Sequence, residues 1–214
     1  MVIYMKIGIL TRELTADNSA IINGIPISYL NILDTDIYPI FINTNIKLSL
    51  KNKENLINQI KSLDGFILPG GEVISQADLF IIDYCYKNNI PLLGICLGMQ
   101  EIAYYFDNKS LKKLNSEEHF KPKLDYVHSI KLNKKGYLYN LLQTNTINVN
   151  SKHHYHITKN KHYVIEATSD KIIEAIKIKN TKYMLGLQFH PETMYPYDNN
   201  AKLIINDFFK ACKN

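Results

Sequence analysis

Between residues 6 and 106 the chain alternates short, unbroken apolar runs with segments whose apolar residues recur at helical spacing, and this alternation restricts the fold more than any other feature. The runs at 6–10, 38–43, 65–68 and 91–95 read as strands. Between and after them, Leu56, Ile57, Ile60 and Leu63 mark one helix face, Ala77, Phe80, Ile81 and Tyr84 a second, and Met99, Ile102, Ala103 and Phe106 a third. Strands buried on both faces and joined by helices require right-handed crossovers, so the expected class is α/β, a mostly parallel sheet with helices on both faces. From about residue 124 the texture changes. Strand-like pieces at 127–132, 146–149, 164–167, 172–177 and 183–188 follow one another with short connections, as antiparallel additions in the C-terminal half would. A closing amphipathic helix carries Ala201, Ile204, Ile205, Phe208 and Cys212. With no linker, repeat or low-complexity tract, one domain over 1–214 is expected.

Charge and cysteine usage exclude several functions. Residues 1–107 carry 7 basic and 11 acidic side chains, whereas residues 108–214 carry 18 and 9. Eight lysines lie between Lys109 and Lys135. They form either a solvated surface or a rim that favours an anionic substrate or acidic partner. No nucleic-acid-binding module accompanies them, and nucleic acid is not an expected partner. Three cysteines without a CxxC pair argue against a disulfide framework. No run approaches the ~18 apolar residues that cross a bilayer, and Lys6, Arg12 and Glu13 interrupt the start of the chain. The expected setting is cytoplasmic, away from membranes, where a free thiolate persists.

The richest segment is Pro91-Leu-Leu-Gly-Ile-Cys-Leu-Gly-Met-Gln100. A buried strand runs into Gly94-Ile-Cys96-Leu-Gly98, and a helix follows at once, as in a nucleophile elbow with a thiol in place of the hydroxyl. Glycines two positions either side let strand and helix approach closely. A thiol there sits at a helix N-terminus, which favours the thiolate, and the N–H of Leu97 points where an oxyanion would form. The alternative is an inert buried cysteine in a strand-to-helix turn.

Further on, Gly186-Leu-Gln-Phe-His190-Pro191-Glu192 ends a strand. Pro191 biases His190 towards extended backbone, where residues i and i+2 share a side, so Glu192 can orient the imidazole. Read alone, the segment is equally a surface turn, and spacing does not say that Cys96 and His190 meet. Pro69-Gly70-Gly71 ends the third strand, either as an ordinary turn or as a loop that brings backbone N–H groups to a ligand. Asn150-Ser151-Lys152-His153-His154-Tyr155-His156 packs three histidines into four positions. No carboxylate or thiol stands at ligand spacing beside them, so zinc is set aside in favour of a polar, aromatic loop. No cofactor and no metal site are expected.

Taken together, Leu-Pro-Gly-Gly71, Gly-Ile-Cys96-Leu-Gly-Met-Gln and Gln-Phe-His190-Pro-Glu192 resemble class I glutamine amidotransferase domains, in order and spacing across essentially the whole chain. The resemblance implies a flavodoxin-like glutaminase fold and a Cys96–His190–Glu192 triad. It also implies a γ-glutamyl thioester on Cys96, an oxyanion hole from the Gly71 and Leu97 amides, and Gly70 and Gln100 beside the glutamyl group. Within that superfamily, Val149-Asn-Ser-Lys-His-His154 and the stretch 164–176 are similar to the γ-glutamyl-γ-aminobutyrate hydrolase branch, peptidase family C26. This similarity puts Ser151 and His154 at the substrate. Two features depart from that branch: Leu97 stands where it usually has Arg, and the loop 71–75 is short. The implied activity is hydrolysis of a γ-glutamyl amide, with a glutaminase feeding ammonia to a synthase partner as the alternative and a non-catalytic binding module as a third.

Overall fold

The computed structural model describes residues 4–15, 19–44 and 48–213. In chain order the first half gives β1 (Met5–Leu10), β2 (Arg12–Thr15), β3 (Ile21–Gly24), β4 (Ile37–Ile42) and α1 (Leu50–Ile60). It continues with β5 (Gly65–Leu68), α2 (Gln76–Asn88), β6 (Leu92–Ile95) and α3 (Leu97–Phe106). The second half adds β7 (Leu111–Lys113), β8 (His128–Leu132), α4 (Tyr137–Leu142), β9 (Thr146–Val149) and β10 (Tyr155–Ile157). Last come β11 (Tyr163–Ser169), β12 (Ile172–Ile178), β13 (Met184–Leu187), α5 (Pro191–Met194) and α6 (Asn199–Lys213).

Nine strands form one mixed sheet in the order β4-β1-β5-β6-β13-β12-β11-β8-β9. From β4 to β13 every pairing is parallel, and from β13 to β9 every pairing is antiparallel. The α/β class and the switch from parallel to antiparallel thus match the expectation. The place of β13 does not follow from its neighbours in sequence. It hairpins back from β12 but also pairs in parallel with β6 at the middle of the sheet, Gly186 opposite Gly94 and Leu187 opposite Ile95.

Alternation along the buried strands builds a core on each face. Ile67, Leu93, Ile95, Leu185 and Leu187 pack with the Ile204–Phe208 face of α6, whereas Phe66, Leu68, Leu92 and Met184 pack with α1, α2 and α3. Burial on both faces explains why these strands read as continuous apolar runs. Side-chain oxygens of Ser49 and Ser75 cap α1 and α2, accepting from the amides of Asn52 and Asp78. The N-terminus of α3 has no such cap; its N-cap residue is Cys96. Several elements carry no clear apolar period in the sequence: the β2–β3 hairpin, α4, and the β7–β10 pair. They are short and hold their place through tertiary pairing. No described helix is long and apolar enough to cross a membrane.

Candidate active site

Three of the motifs singled out in the sequence leave the sheet at the same end. Pro69-Gly70-Gly71 follows β5, Cys96 follows β6, and His190 follows β13, and these three strands are adjacent and parallel. Ligands of open α/β sheets gather at the carboxyl ends of the strands, where loops and helix N-termini converge.

Cys96 holds φ 53° and ψ −103°, outside the favoured regions for an L-residue. Its amide donates to the Leu187 carbonyl at 2.7 Å, and its carbonyl accepts from Gln100 N at 3.2 Å, so β13 and α3 pin the turn from both sides. Close packing explains the flanking glycines. A Cβ on Gly94 would lie 2.7 Å from the Gly98 backbone, and one on Gly98 would lie 2.3 Å from the Leu68 carbonyl oxygen. A Cβ on Gly70 would stand 2.8 Å from His190 Cε1 and 3.5 Å from Cys96 Cβ. Gly70 therefore sits against both partners, and it does so without positive φ.

His190 Nδ1 lies 2.8 Å from Glu192 Oε1. The pair forms as expected, but the backbone differs: Pro191 opens the one-turn helix α5, with His190 as its N-cap. Burial lowers the His190 pKa, but the charge of Glu192 and the charge and hydrogen bond of Cys96 outweigh it and raise the imidazole to about 10. Both neighbours thus favour the protonated ring.

Several supporting residues carried no signal of their own in the sequence. Asn150 clamps the His190 backbone: its Oδ1 accepts from His190 N at 2.8 Å, and its Nδ2 donates to the His190 carbonyl at 3.0 Å and to Thr193 Oγ1 at 2.9 Å. The buried Arg12 joins three elements, with bonds to Asp78 on α2 at 2.6 Å, Glu101 on α3 at 3.1 Å and the Pro69 carbonyl at 2.9 Å. Tyr29 accepts from the Gly70 amide at 2.9 Å, so that N–H is turned to the phenol and not to the pocket. Only Asn150 lies in a segment that the resemblance had marked.

A cavity of about 600 Å³ opens over the thiol, lined by Gly71, Glu72, Cys96, Gln100, His154 and His190 among others, within the usual size of small-molecule sites. Leu97 borders Gly71, whose added Cβ would be 3.0 Å from Leu97 Cδ2. Gln100 Nε2 donates to Gln188 Oε1 at 3.1 Å and to the Tyr155 carbonyl at 3.3 Å. His154 stacks on Phe120, ring centroids 4.1 Å apart. Ser151 does not line the cavity. It is fully buried, and its hydroxyl donates to the His119 carbonyl at 2.8 Å. Lys152 lines the cavity, whereas none of the eight lysines between 109 and 135 does. Of the remaining histidines, His153 is lowered to about 3 by burial and lies near Glu174, raised by burial to about 8.

The Peptidase C26 family model matches residues 75–192, which include all three triad candidates. Anthranilate synthase component 2 of Cyanophora paradoxa is 33% identical over 177 residues, covering 78% of this chain and 87% of that protein. CTP synthase of Clostridium kluyveri is 29% identical over 197 residues, covering 76% of this chain. The chain spans only 33–42% of the length of the CTP synthases it matches. Among solved structures, the glutaminase domain of Trypanosoma brucei CTP synthase, with bound acivicin, superposes with a TM-score of 0.72 at 16% identity. That superposition covers 98% of this chain and 94% of that domain, which shows the shared fold.

Proposed function

The chain belongs to the peptidase C26 family and is a glutaminase-type amidotransferase domain, and from that premise we propose that it hydrolyses a γ-glutamyl amide, glutamine or a γ-glutamyl amine, through a thioester on Cys96. The observation that carries this reading is the strained Cys96 turn beside His190, whose Nδ1 lies 2.8 Å from Glu192 Oε1. The Cys96 sulfur attacks the γ-carbonyl carbon, and the oxyanion forms beside the Gly71 and Leu97 amides. His190 delivers its proton to the departing nitrogen as the C–N bond breaks. A water then gives its proton to His190 and its oxygen to the acyl carbon, the C–S bond breaks, and glutamate leaves. Gly70 and Gln100 border the glutamyl group, and His154 stands further out, towards the amine. Ser151 contributes from beneath, by holding the turn at His119.

A second reading, glutaminase for a synthase partner, is favoured by the identity to anthranilate synthase component 2 and by Leu97. Glutamate release separates the two. The purified chain is offered glutamine and a panel of γ-glutamyl amines, some with an anionic amine half, with Cys96→Ala as blank. Fast release from one γ-glutamyl amine supports a stand-alone hydrolase. Slow release from glutamine alone supports the synthase subunit. No release from any member, with no acyl-enzyme trapped, defeats both.

A further inference from the structure

Behind the pocket, four groups from four separate segments converge on one point. Glu174, on β12, is fully buried. Its Oε1 lies 3.5 Å from His119 Nδ1, 3.6 Å from His128 Nε2 and 3.9 Å from His153 Nε2. Neither carboxylate oxygen has a hydrogen-bond partner, and neither do His153 Nε2 and both ring nitrogens of His128. Buried polar atoms are rarely left so, and five of them in one cluster require a cause.

The tautomer of His153 narrows that cause. Its Nδ1 is 2.8 Å from the Tyr155 carbonyl oxygen, which can only accept, so the proton resides on Nδ1. The Nε2 lone pair then faces Glu174 at 3.9 Å, and either a proton on that carboxyl or a cation beside it relieves the opposition of two acceptors. Two of the spacings fit a cation. The 3.5 and 3.6 Å spacings of His119 and His128 from Glu174 match the roughly 3.3–3.6 Å between ligand atoms that metal–ligand bonds of about 2.0–2.2 Å give in a tetrahedron, whereas the 3.9 Å of His153 is longer.

We infer that His119, His128 and Glu174, whose ligand atoms all lie within 4.8 Å of one another, form a site for one divalent first-row cation, zinc, beside the pocket wall at His153. With ligands from three separate segments, the ion would act as a cross-link. It would tie the short 3₁₀ turn Glu117–His119 to β8 and β12. That turn is already held by Ser151 Oγ and by His153 N, both donating to the His119 carbonyl. Phe120, the next residue, lines the cavity. The three-histidine segment hid this site because its carboxylate comes from β12 and both imidazoles come from outside the segment.

The test uses the full chain in a Cys96→Ser background, which removes a competing thiol, stripped with a chelator and titrated with Zn²⁺ or Co²⁺ alone. One ion per chain is expected, with the intense visible bands of tetrahedral Co²⁺ and no thiolate charge-transfer band. Both His128→Ala and Glu174→Gln should weaken Zn²⁺ binding by roughly 100-fold, and His154→Ala, on the pocket side, should not. Absence of stoichiometric uptake overturns the site. So does a loss in His154→Ala equal to that in His128→Ala. Should the ligand variants not fold, the Co²⁺ spectrum of the Cys96→Ser chain decides, and weak octahedral bands reject it.

Discussion

Cys96 and His190 face each other from adjacent parallel strands, yet different forces hold them. The candidate nucleophile is fixed by backbone and by contact: an unfavourable turn, one hydrogen bond to β13 and one to α3, and glycines that admit no Cβ. The candidate base is fixed by polar side chains, Asn150 on its backbone and Glu192 on its ring. The first arrangement joins a five-residue turn to Leu68 and Leu187 by close contact, and any added atom must displace structure. The second is assembled across 40 residues and should degrade gradually when one hydrogen bond is lost.

Substitutions on the two sides should therefore fail in different ways. Cys96→Ala removes the reacting sulfur and should lower kcat by about 10⁴-fold or more, with the thermal midpoint nearly unchanged. Near-native turnover in that variant would defeat the mechanism. Next comes Gly98→Ala, whose Cβ would lie 2.3 Å from the Leu68 carbonyl and 2.6 Å from Leu68 Cβ. It should destabilise the fold by about 3 kcal/mol, read from the urea midpoint. A loss below about 0.5 kcal/mol, the size of an ordinary surface change, would show that α3 can shift and that contact does not hold the elbow.

On the base side, Glu192→Gln should cost roughly 10²-fold in kcat. The loss is milder than for the nucleophile, because a thiolate is intrinsically reactive. The same variant tests the linkage. The His190 pKa is raised from 6.5 to about 10 in the folded protein, Glu192 and Cys96 outweighing burial. Stability from this source is fully present below pH 6.5 and is lost as pH rises towards 10. In Glu192→Gln the alkaline decline of the thermal midpoint should begin nearer neutrality, and superimposable profiles would reject the coupling. The smallest effect is expected from Asn150→Ala: about a 10-fold fall in kcat with KM almost unchanged, and ~1–2 kcal/mol of stability. A change confined to KM would place Asn150 at the substrate and not behind His190.

The sequence alone was enough to specify the class, because burial on both faces turns each parallel strand into an unbroken apolar run that periodicity reveals. It also exposed the elbow, since Gly94, Cys96 and Gly98 act on one another within five residues. The surroundings of His190 were legible only in part: Glu192 is two residues away, but the clamp by Asn150 and the bracing of the Gly-Gly loop by Arg12 and Tyr29 join distant segments that no period marks. Tertiary structure alone decided that β13 lies beside β6, and hence that thiol and imidazole leave the sheet at one end. It likewise decided that Ser151 lies beneath the pocket and that Glu174 meets three imidazoles. Hydrophobic alternation is written into the order of residues along one strand, whereas the pairing of strands is set by how the faces of all of them pack at once.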